Sequence, residues 1–190
     1  MRVHPIFVKK DDPMKLAVLA LPLARVGVAP AIAQDRPADP HSLELSIRDA
    51  SILALQETLF DLLALRQAAH QAHWNVVGPD FHQAHEFYED LYTSLDGPID
   101  DFGARIRALG GAVDARPSSI AERVSHRFRE PSEGHIKEIA MSLESGWAKF
   151  SADLYERMET VKDDMPTQDL IIGLASLIDK QRWMLRAHLK

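Results

Sequence analysis

The feature that most constrains this chain is the spacing of its apolar residues beyond about residue 45. From Ser46 to Val77, Leu55, Leu59, Leu62, Leu63 and Ala69 recur at helical spacing, with no internal glycine or proline. That is the period of one face of an α-helix. Gly78-Pro79-Asp80 stops this helix, and a second runs from Phe81 to Leu109, with Phe81, His85, Tyr88, Tyr92, Leu95, Ile99, Phe102 and Ile106 at the same spacing. Gly97-Pro98 lies inside it. Proline removes a backbone donor and crowds the preceding turn, so the pattern predicts one kinked helix. Gly110-Gly111 ends it, and residues 112–131 form a connection with room for a short helix near Ser119 to Val124. A third helix, Ser132 to Lys162, carries Ile136, Ile139, Leu143, Trp147, Phe150, Leu154 and Met158. Asp163-Asp164-Met165-Pro166 breaks it, with Thr167 the expected N-cap of a fourth helix that carries Leu170, Leu174, Leu177, Gln181, Met184, Leu185 and His188. A connection this long suggests a crossover along the bundle. The expectation is therefore an all-α four-helix bundle with a short crossover helix between helices 2 and 3. No strand pattern competes with it. One domain is expected at 46–190, behind an N-terminal tail at 1–45.

That tail is proline-rich and lacks helical periodicity. From Met14, a lysine precedes the apolar run Leu16-Ala-Val-Leu-Ala-Leu-Pro-Leu-Ala24, and Ala31-Ile-Ala33 is a small-x-small cleavage pattern. Two readings stand: a secretory signal starting at Met14, which would make the protein periplasmic, or a plain tail on a cytoplasmic protein. Arg25 opposes the first, because a charge there disfavours insertion. The run is too short and interrupted to span a membrane.

The chain has no cysteine, which excludes thiolate metal sites, disulfides and cysteine nucleophiles; a transition metal must be held by imidazole and carboxylate. Iron, manganese or zinc fit such donors. The net charge of -6 becomes -9 without residues 1–33, which remove five basic and two acidic residues. DNA binding is therefore expected to be weak or absent.

Four of the nine histidines fall between His70 and His85, at the end of one helix and the start of the next. Imidazole is a common ligand for divalent first-row metals, and His73 and His85 flank a short turn that brings antiparallel helices together. Singly, His70 and His82 read as hydrogen-bonded structural residues. Asp101 and Glu86 read as solvated, and Tyr88, Tyr92, Phe102 and Trp147 as core. Asp100 lies fifteen residues beyond His85, a helical rise of about 22 Å, too far for one ion to be shared within the chain. Either Asp100 belongs to another site, or a second copy of the chain completes this one. The Glu-x-x-His pairs of di-iron sites built inside one bundle are absent.

The order His73-Trp-Asn-Val-Val-Gly-Pro-Asp-Phe81, His85, Tyr92, Asp100 and Arg105-Ile-Arg-Ala-Leu-Gly-Gly111, with the ending Asp179-Lys-Gln-Arg-Trp-Met-Leu-Arg-Ala-His-Leu189, resembles the Dps family of mini-ferritins over residues 45–190. The resemblance implies a ferritin-like bundle assembled as a hollow dodecamer, with a ferroxidase centre at each dimer interface. It implies an oxidoreductase that oxidises Fe(II), preferably with hydrogen peroxide, stores the ferric mineral and limits oxidative damage. Carried over by position, His73 and His85 of one chain and Asp100 of its partner hold and oxidise the iron. Glu89 matches a further carboxylate, and zinc is an alternative occupant. Asp163, Asp164 and Asp169 resemble the lining of a pore that admits iron, with a charged cap on a surface turn as the other reading. The family pattern has a glutamate ligand where this chain has Ala104. A cage with weak or no ferroxidase activity is therefore the alternative function.

Overall fold

The computed structural model describes residues 43–124 and 133–190. The signal-like segment at 14–33 lies outside the described residues. In chain order the elements are α1 (Leu45–Asn75), β1 (Val76–Val77), α2 (Phe81–Thr93), α3 (Asp96–Ala108), α4 (Pro117–Arg123), β2 (Gly134–His135), α5 (Ile136–Thr160) and α6 (Met165–Ala187). This is an all-α bundle: α1 packs along α2, α3 and α5, and α6 packs along α5 and touches α3. The short crossover helix α4 leans on α1.

Leu55, Leu59, Leu62 and Leu65 of α1 meet Tyr88 and Leu91 of α2, Phe102 and Ile106 of α3, and Trp147 and Phe150 of α5 in one core. Burying side chains of this size contributes about 1.5–3 kcal/mol each. On α6, Ile171 and Ile178 are fully buried along with the expected Leu185, while the expected Leu170 and Leu177 are only half-buried. Both rows are apolar, so spacing alone did not choose between them. Gln181 lies in the core because it is saturated: it accepts from the Trp147 indole (2.6 Å) and donates to Ser94 Oγ (2.8 Å) and the Leu91 carbonyl (3.3 Å).

Three local expectations are corrected. The second helix is not one kinked rod but two helices, α2 and α3, separated by the turn residues Ser94 and Leu95. Pro98 sits in the first turn of α3, where backbone donors have no intrahelical partner, so it starts a helix and does not bend one. The N-cap of α6 is Asp164, not Thr167; its carboxylate accepts from the Thr167 backbone amide and from Thr167 Oγ1. Carboxylate charge at a helix start is favourable, and Pro166 fits the first turn. There is also a strand pairing: Val76 and Val77 pair in parallel with Gly134 and His135, tying the start of the turn after α1 to the start of α5. Two residues per strand are too few to leave a periodic signal.

Two glycines are required by the backbone. Gly78 has φ +114°, and a Cβ there would lie 2.5 Å from His135 Nδ1. Gly110 has φ +78° at the end of α3, where the Gly111 amide donates back to the Ile106 carbonyl at 2.8 Å. This is the six-to-one closure of a Schellman C-cap.

Candidate metal centre

The break after α1 folds α2 back along α1 and sets the last turn of one helix beside the first turns of the other. His73 is buried at 8% exposure and His85 is half-buried. Each ring reaches the other's backbone: His73 Nδ1 donates to the His85 carbonyl at 2.9 Å, and His85 Nδ1 donates to the His73 carbonyl at 2.8 Å. The rings stack with centroids 3.6 Å apart and planes 24° from parallel. A carbonyl can only accept, so both Nδ1 atoms carry hydrogen, and the tautomer this selects is the one with its lone pair on Nε2. A hydrogen bond of this kind fixes the tautomer and orientation of metal-binding histidines. Among the described residues, neither Nε2 has a hydrogen-bond partner.

Glu89 follows His85 by one turn and is exposed. His82, also exposed, pairs with Glu86 at 3.5 Å. His70 lies in an aromatic stack, 3.9 Å from the Trp74 ring and 4.2 Å from Tyr92. Burial, the Arg66 charge and His73 lower its pKa, against the raising pull of Asp96 and Glu89. Tyr92 is therefore more than core: its ring also meets His73 edge-on at 5.5 Å. Trp74 (59% exposed) and Phe81 (45%) leave an apolar rim beside the histidines.

Asp100 and Ala104 are exposed one turn apart on α3. Asp101 is exposed too, but it lines a groove between α3 and α6 shared with Asp169, Phe102 and Leu174. Among the described residues, no group of three or more His, Asp or Glu side chains converges. Within one chain, the structure thus brings together His73 and His85 but does not add Asp100 to them. Of the acidic turn, Asp163 and Asp169 are exposed, whereas Asp164 is fully buried and paired with Arg105 at 2.8 Å. Burial raises the pKa of Asp164, but Thr167 and the Arg105 charge outweigh it and hold the carboxyl below its usual range.

A family profile described as a ferritin-like domain matches residues 52–190. DNA protection during starvation protein 2 of Bacillus anthracis is 34% identical over 143 residues, covering 73% of this chain and 95% of that protein. The chain belongs to the Dps family of ferritin-like proteins. The solved Dps of Mycobacterium smegmatis superposes on this Dps chain with a TM-score of 0.77 at 25% identity, over 80% of this chain and 94% of that one. Dps from Microbacterium arborescens, solved in a high iron form, gives 0.72 at 28% identity over 77% and 96%. No helix among the described residues is long and apolar enough to cross a membrane.

Sequence reasoning missed two participants at this end of the bundle. Arg66 donates to the Asp96 carboxylate at 2.5 and 3.5 Å and lies 5.4 Å from the centre of the Tyr92 ring. The available signal was the spacing of Arg66, His70 and His73, which places them along one helical face.

Proposed function

We propose that this Dps chain takes up Fe(II), oxidises it with hydrogen peroxide and retains the ferric product inside a hollow dodecamer. The observation that carries this reading is the reciprocal hydrogen bonding of His73 and His85, which leaves two oriented Nε2 lone pairs at the α1–α2 end of the bundle. Glu89 from the same chain and Asp100 from a partner across a two-fold axis supply the carboxylates. An isologous contact of this kind generates two identical sites. The solved relative in a high iron form is in keeping with iron as the substrate. Zn(II) suits the same donors as a redox-inert competitor. The redox balance is simple: each peroxide takes one electron from each of two Fe(II) ions and, with two protons, leaves as two waters. Asp163 and Asp169 are the exposed carboxylates available to line an iron-admitting pore. Asp164 serves the fold through Arg105.

Ala104 favours a second reading, a metal-binding cage with weak oxidation. Its methyl group offers no donor, and Asp101 faces a different groove. Stopped-flow oxidation of Fe(II) by peroxide separates the two. Ferroxidase function predicts acceleration over buffer that His73→Ala abolishes, and no acceleration sinks it. A missing ligand predicts that Ala104→Glu raises the rate. Non-specific DNA binding remains disfavoured by net charge.

A further inference from the structure

Arg66 contacts a neighbour of each group that this chain is proposed to offer a metal, Asp96 on one side and Tyr92 on the other. Toward α3, its guanidinium holds Asp96, in the first turn of the helix and one turn before Asp100. Toward α1 and α2, it lies over Tyr92, whose ring stacks on His70 and meets His73 edge-on. The Arg66 and Asp96 side chains are 30% and 53% exposed. An exposed ion pair contributes little to stability on its own, so a stabilising role alone explains this arrangement poorly.

We propose that Arg66 is a positioning residue of the metal centre, setting α3 with Asp100 and, through Tyr92, the His73 ring from one guanidinium. The proposal rests on the two-chain reading above. In a two-fold pair, His73 of a chain serves one site and its Asp100 serves the other. Each Arg66 therefore couples the two sites. Arginine suits this task because its planar fork binds a carboxylate while its face lies on an aromatic ring; lysine does not combine the two.

Charge and position predict opposite outcomes, which makes the idea testable. Arg66 is a cation near a cation site, so on charge alone its removal tightens metal binding. If it positions ligands, removal weakens binding. The experiment is anaerobic titration of the full chain with Co(II), followed by visible absorption, with His73→Ala as the control for the site. Arg66→Ala is expected to weaken Co(II) binding by roughly tenfold or more, as loss of an outer partner does. It is also expected to shift the absorption band at saturating metal, a change that loss of stability alone does not produce. Arg66→Lys should restore part of the affinity, and Asp96→Asn, which leaves Arg66 over Tyr92, should reproduce part of the Arg66→Ala loss. The double variant should add little to Arg66→Ala alone. Unchanged or tighter binding by Arg66→Ala overturns the proposal. Should that variant not fold, Arg66→Lys and Asp96→Asn with wild-type affinity and band overturn it. Equal binding by wild type and His73→Ala instead overturns the metal-centre reading, and this proposal with it.

Discussion

Two polar clusters in this molecule use the same kinds of residue to different ends. At the junction of α3 with the α5–α6 turn, Arg105, Asp164 and Thr167 close on one another: Arg105 donates to Asp164 at 2.8 Å and to Thr167 Oγ1 at 3.0 Å, and Asp164 is fully buried. At the α1–α2 end, His73 and His85 use one nitrogen each on the other's backbone and leave the second nitrogen without a partner among the described residues. The saturated cluster answers only to its own chain. The unsaturated one holds oriented lone pairs beside an exposed Trp74, available to the metal and partner carboxylate of the proposed function. A buried ion pair leaves a costly unpaired charge when one partner is removed, whereas cutting one histidine of the pair strands no carboxylate or guanidinium.

The sharpest way to break this comparison is Arg105→Ala. It strands the Asp164 carboxylate in the protein interior, and a loss of about 3–5 kcal/mol is expected in urea unfolding. Co(II) affinity of the folded fraction should stay unchanged; a loss would mean that the two clusters are not independent. Next in size is His85→Ala, for which a drop in metal affinity of about 100-fold, or ~2.7 kcal/mol, is expected. Its melting temperature should fall far less than that of Arg105→Ala. Equal falls would make the histidine pair a structural device.

The smallest effect is in acid. The Asp164 pKa is lowered in the folded state, so its contribution is present above the usual carboxylate range and is lost as pH falls through the folded value. Wild-type stability should decline along that limb, and Asp164→Asn should flatten it. A parallel decline in both proteins would show that other carboxylates govern acid unfolding.

Helix periodicity located the long elements because burying one face of each is the main source of their stability. It missed the separation of α2 from α3, since the apolar row continues through Leu95 and Ile99 while the backbone turns at Ser94 and Leu95. It named Thr167 where Asp164 caps, because both are good capping residues and only the packing of Arg105 selects the acid. Asp164 among the pore candidates shows the same limit: an acidic turn reads alike whether its carboxylates face water or a buried arginine.

By itself, then, the sequence determined the bundle, the family and the presence of His73 and His85 on either side of one turn, because these follow from spacing and residue type along the chain. Tertiary structure decided which ring nitrogen is tied to backbone, which acid is buried and that Arg66 reaches both Asp96 and Tyr92. Those outcomes depend on distances of a few ångströms between residues far apart in sequence, and the period of a helix does not encode them.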